Sequence, residues 1–88
     1  MKWCCVEGPG PEWVRSAALD DEGTVFVPAI ITGSEAFALI CAVHDGTKMV
    51  LDGEHVYLPA TWLAMNYPDV SAMCTKIDTR MRAHFSST

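Results

Sequence analysis

The chain changes hydrophobic period several times, and each change predicts an element. A short apolar stretch at 2–6 reads as a strand, ended by "EGPGP", whose prolines and glycines remove ladder donors and regular dihedrals. Over 13–31 the pattern is strand, acidic turn, strand: Asp20, Asp21, Glu22 and Gly23 suit a type I turn, with Gly23 left-handed, closing a three-residue hairpin loop. The continuous apolar run in "GSEAFALICAVHDG" has no decisive period, so its edges arbitrate. Ser34 is a good N-cap, Glu35 favours the dipole and Gly46 can end the element, which predicts a helix; the alternative is a buried strand over 37–43. "KMVLDGEHVYLP" reads as a second hairpin around Asp52 and Gly53. Pro59 then suits the first turn of a helix, "ATWLAMNY", stopped by Pro68. From 69 to 85, Val70, Met73, Cys74, Ile77, Met81 and Phe85 recur at helical spacing and form one apolar stripe.

Two stretches nearly coincide: "VFVPA" at 25–29 and "VYLPA" at 56–60. Each finishes the second strand of a predicted hairpin, and each proline ends pairing and turns the chain toward a helix. The pattern therefore predicts a ββα unit used twice. The expected fold is α+β, a single domain over 1–88 with two antiparallel hairpins in ββαββαα order and the C-terminal amphipathic helix packed on the sheet.

Composition narrows the function classes. Half of the 88 residues are hydrophobic and 19% are charged, enough apolar material to offset the entropy of ordering one small core. A net charge of −5 argues against broad phosphate-backbone binding, which depends on Lys and Arg. The charge is uneven: residues 1–66 hold nine acids against three bases, whereas 67–88 hold two acids, three bases and a histidine. The longest apolar run, eight residues at 36–43, is far shorter than the roughly 20 of a spanning helix. Without a secretory h-region near the start, the expected location is cytoplasmic, and the four cysteines are expected as reduced thiols.

Candidate chemistry is sparse. Cys41 and His44 have C-x-x-H spacing, which on a helix puts a thiolate and an imidazole on one face, half of a zinc site. Cys4, Cys5, Cys74, His55 and His84 supply no second pair at such spacing, so the favoured reading makes Cys41 a small hydrophobe and His44 a dipole partner. Neighbouring Cys4 and Cys5 on a strand point to opposite faces and are expected to pack. Phosphate-loop, nucleophile-elbow, zinc-protease and dinucleotide motifs do not occur in the sequence. No cofactor is expected.

Surface candidates are stronger. Lys76, Arg80 and Arg82 lie off the stripe of the last helix as a candidate basic ridge, and Trp13, Trp62, Tyr57 and Tyr67 are many large aromatics for so small a core. Lys76, Arg80, Arg82, Tyr67 and Trp62 are the candidate partner-binding residues. The expected function is a small, acidic, non-enzymatic protein-binding module, an inhibitor or adaptor of the mobile-element or phage type that occupies a surface on a larger partner. The alternatives are a nucleic-acid-binding regulator using the last helix and a zinc-stabilised module. A protein partner is expected and no membrane; an uncovered hairpin edge is a candidate for homodimer pairing.

Overall fold

The computed structural model describes residues 2–6, 15–29 and 35–86. Its strands are β1 (Lys2–Val6), β2 (Arg15–Leu19), β3 (Val25–Pro28), β4 (Val50–Asp52) and β5 (His55–Pro59); its helices are α1 (Glu35–His44), α2 (Ala60–Asn66) and α3 (Ser71–Ser86). The class is α+β, and after β1 the order is ββαββαα, as the pattern predicts. The ambiguous apolar run is a helix. Ser34, the loop after β1 and Trp13 lie outside the described residues, as do the side chains of Cys4 and Cys5.

The strands form one antiparallel sheet in the order β1-β2-β3-β5-β4. The two hairpins are β2–β3 and β4–β5, joined through their second strands. Those strands carry the repeated pentapeptides, and the copies pair with each other: Phe26 opposite Pro59, Val27 opposite Leu58, Pro28 opposite Tyr57. The repeat therefore lies about a local two-fold axis between Val27 and Leu58, at the centre of the sheet.

Both turns follow from local chemistry. In the first, the Gly23 N–H donates to the Asp20 carbonyl at 3.2 Å and Gly23 has φ +83°, the left-handed residue after a type I turn. The Asp20 carboxylate fixes that loop, accepting from the Thr24 N–H at 2.8 Å and the Glu22 N–H at 3.0 Å on one oxygen, and from Lys48 Nζ at 3.3 Å on the other. The Thr24 N–H contributes most to holding Asp20 below its ordinary pKa of 3.8; Lys48 and the Glu22 N–H add to it, and burial opposes them. In the second hairpin Asp52 is paired with His55, so the loop residues are Gly53 and Glu54, one position later than the Asp-Gly signal suggests. Gly53 has φ +61° and, among the described residues, no non-glycine residue has positive φ, the combination of a type II′ turn.

Alternation along the strands makes two apolar faces. Ala17, Val25, Val27 and Leu58 join Ala38 and Ala42 of α1, Leu63 of α2, and Cys74, Ile77 and Met81 of α3 in the main core. Phe26, Ala18 and Tyr57, with Val50 against them, form a smaller cluster on the opposite face. Burial of a side chain such as Phe26, Leu58 or Leu63 stabilises by about 1.5–3 kcal/mol. Across the helix-bearing face, α3 lies on β2 and β3, α2 on β3 and β5, and α1 on β5. All six stripe residues expected of the last helix are in the main core or packed on it.

Proline sets both ends of α2. Pro59, expected inside the first turn, is instead the residue before it, with φ −56° and ψ 130°; it pairs with Phe26 while already carrying the φ that a helix start needs. At the other end Tyr67 is extended, as the residue before Pro68 must be.

Candidate interaction surface

The expected binding residues fall into two groups that the fold separates. On α3, a rotation of about 100° per residue puts Lys76 and Arg80 on one flank of the apolar stripe and Arg82 on the other. Arg82 Nε donates to Asp78 Oδ1 at 2.9 Å, and a Cβ built on Gly23 would lie 3.7 Å from Arg82 Nη1, so this cation leans toward the acidic β2–β3 turn. Lys76 and Arg80 are exposed. The three cations thus do not make a single ridge.

Trp62 and Tyr67 are half-buried and act between helices. Trp62 Nε1 donates to Asp45 Oδ2 at 3.2 Å, tying α2 to the residue that follows α1. Its ring meets that of Tyr67 edge to face, centroids 6.0 Å apart at 63°. The Tyr67 hydroxyl is buried with no hydrogen-bond partner. Burial, and after it the charge and weak hydrogen bonding of the Cys41 sulfur on α1, pushes this phenol above its ordinary pKa of 10.0; the sulfur lies outside good hydrogen-bond geometry and is a poor acceptor, so the hydroxyl is left unsatisfied.

Cys41 is therefore a half-buried packing neighbour of Tyr67, while His44 is exposed. Among the described residues no group of three or more His, Cys, Asp or Glu side chains is arranged to hold a metal ion. Cys74 is buried, and desolvation, followed by the Asp69 charge, pushes its thiol up to about 12, which removes its nucleophilic form at neutral pH. No helix among the described residues is long and apolar enough to cross a membrane.

The most unusual surface is on α1, and the sequence reading did not single it out. Ala38 and Ala42 are its only buried residues among those described, whereas Phe37 is 57%, Ile40 66% and Val43 58% exposed. Alanine lets the helix sit close to the sheet and leaves the large side chains pointing away. Leu51 on β4 is 74% exposed. It pairs with Val56, which packs on the main core, so Leu51 is on the same face of the sheet as α1. Asp45, after α1, and Glu54, in the β4–β5 turn, are both exposed and give this region an acidic rim, while Asp52 lies on the opposite face with Val50. The available signal was the absence of polar residues between Ala36 and Val43, a pattern that a one-sided helix does not need.

Compared with known proteins, the chain matches no family model, and no curated protein or solved structure is detectably similar to it. What defines it is the geometry: among the described residues, an α+β sheet with three helices on one face, the edgemost of which turns an apolar surface outward.

Proposed function

We propose that the chain is a small, non-catalytic protein-binding module, an inhibitor or adaptor, that occupies a surface on a larger partner through the outer face of α1 with Leu51 beside it. One observation carries this reading: Phe37, Ile40 and Val43, which helical spacing puts on one face of α1, and Leu51, on the helix-bearing face of the sheet, are each more than half exposed. Contiguous apolar surface with a polar rim is what protein interaction sites present. The acidic rim favours a partner with basic residues around an apolar centre.

Affinity capture with the wild type and two double variants, Phe37→Ser with Ile40→Ser and Lys76→Ala with Arg80→Ala, tests the reading. Removing two apolar anchors of about 1.5–3 kcal/mol each should weaken a complex by 100-fold or more. The expected result is a partner bound by the wild type and the α3 variant and lost from the α1 variant. A partner lost from the α3 variant alone would move the site to the C-terminal helix and overturn the proposal.

A further inference from the structure

We propose that β4 is the dimerisation edge of this protein, and that two copies pair there antiparallel with Leu51 opposite Leu51 of the second copy. The inference rests on the reading of α1 and Leu51 as an interaction surface and names the second copy as the occupant of its β4 side.

Among the described residues β4 is the last strand of the sheet and pairs only with β5. The Asp52–His55 pair closes a two-residue loop, which makes it the hydrogen-bonded pair of the hairpin, so the next pair, Leu51–Val56, does not exchange hydrogen bonds. The N–H and C=O of Leu51 consequently point away from β5, toward the open edge. Leu51 and Asp52 are exposed, and so are Gly53 and Glu54 of the turn. An open strand edge with an apolar side chain templates pairing with another strand unless charge or covering blocks it.

Three features select a second copy. A two-fold axis through Leu51 lets the two leucines exchange both hydrogen bonds and stacks their side chains on the helix-bearing face. The same register sets Asp52 against Val50 of the second copy, so no carboxylates meet. Sliding the strands by one residue each, to place Asp52 opposite Asp52, would oppose like charges.

Area points the same way. Four partly exposed side chains of this size offer on the order of 400 Å² of apolar surface per copy, which is about half of one side of a standard interface. Joining two sheets at β4 brings both α1 helices onto one face, where Phe37, Ile40 and Val43 of the two copies together offer on the order of 600 Å², about three-quarters of one side of a standard interface. The dimer thus builds the docking site that one copy only begins.

The test is sedimentation equilibrium on wild type and Leu51→Arg, with oxidative cross-linking of Leu51→Cys and Asp52→Cys against the wild-type background. The expected results are a dimer at micromolar concentration for the wild type, a monomer with unchanged circular dichroism for Leu51→Arg, and a covalent dimer from Leu51→Cys well above that from Asp52→Cys. Directly paired residues lie about 5.5 Å apart at Cα, within disulfide range. A wild type that stays monomeric, a Leu51→Arg variant that stays dimeric, or equal cross-linking at both positions would overturn the proposal. If the wild type is monomeric while Phe37→Ser with Ile40→Ser still abolishes partner capture, the dimer fails and the binding reading stands. If the dimer forms and that variant captures normally, the reverse holds.

Discussion

Replacing Tyr67 by phenylalanine should make this protein more stable. The Tyr67 ring bridges α2 and α1 and meets Trp62 edge to face at 6.0 Å, and phenylalanine keeps that contact. What it removes is a hydroxyl that is buried without a hydrogen-bond partner. Burying an unpaired polar group costs about 1–3 kcal/mol, and part of that is recovered in small adjustments, so the expected gain is about 1 kcal/mol. For a domain of this size, that raises Tm by roughly 4–8 °C. Thermal and urea unfolding followed by circular dichroism at matched concentration measures both. Cys41→Ser supplies a companion: an oxygen beside the phenol can satisfy it, so Tyr67→Phe should gain less in that background. A Tyr67→Phe variant that loses 1 kcal/mol or more would refute the reasoning, because it would show that the hydroxyl makes a bond worth keeping.

Other expectations follow from single contacts. Asp20 is held below its ordinary pKa, so the stability it contributes is present above about pH 4 and is lost as pH falls through its folded value. Asp20→Asn should be less stable at neutral pH and lose less on acidification, read from urea midpoints across that range; equal slopes for both proteins would remove Asp20 as the cause. Alkylation of the native protein at pH 8, mapped by peptide mass, should modify Cys41 and spare Cys74, whose thiol near 12 is ionised to roughly one part in ten thousand there. Comparable labelling of both without denaturant would contradict the buried placement. Val27 and Leu58 lie directly opposite at the sheet centre. Val27→Leu and Leu58→Val should each cost about 1 kcal/mol or more, and the double variant should recover at least about 1 kcal/mol because the pair keeps its volume; strict additivity would mean that the two do not pack on each other.

Elements with strong punctuation were legible in the sequence. The stripe of α3, the acidic turn with Gly23 and the proline-ended strands are set by local dihedral and spacing rules, and the structure agrees with them. Legibility fell where tertiary partners decide. The order in which the hairpins join is a non-local choice, and no local rule says that the two pentapeptides should meet. The candidate site was less legible for the same reason. Trp62 and Tyr67 look like exposed anchors by type, yet Asp45 and the α1–α2 contact draw them inward. Periodicity could not show that α1 uses only alanines to reach the sheet, because an all-apolar run has no polar residues to mark its outer face.

The self-pairing of the pentapeptide gives a physical reason for its recurrence that does not depend on ancestry. Across β3 and β5 the aromatic of each copy shares a face with the proline of the other: Phe26 opposite Pro59, and Tyr57 opposite Pro28. Continuing that register puts the leading valine of each copy against the closing alanine of the other, large against small, and Ala29 and Ala60 are both buried. The central residues, Val27 and Leu58, meet on the axis. A five-residue segment with this order is complementary to itself when antiparallel, so two copies at the centre of a sheet fill each other's gaps. The prolines lack the donors to extend the ladder, which confines pairing to the motif and releases both chains on the same face, where the helices collect. The same logic of antiparallel self-complementarity underlies the pairing proposed at β4, where Leu51 is the axial residue and Asp52 meets Val50 of the second copy. One sheet would then carry two kinds of dyad, an internal one written as a repeat and an external one written as an uncovered edge.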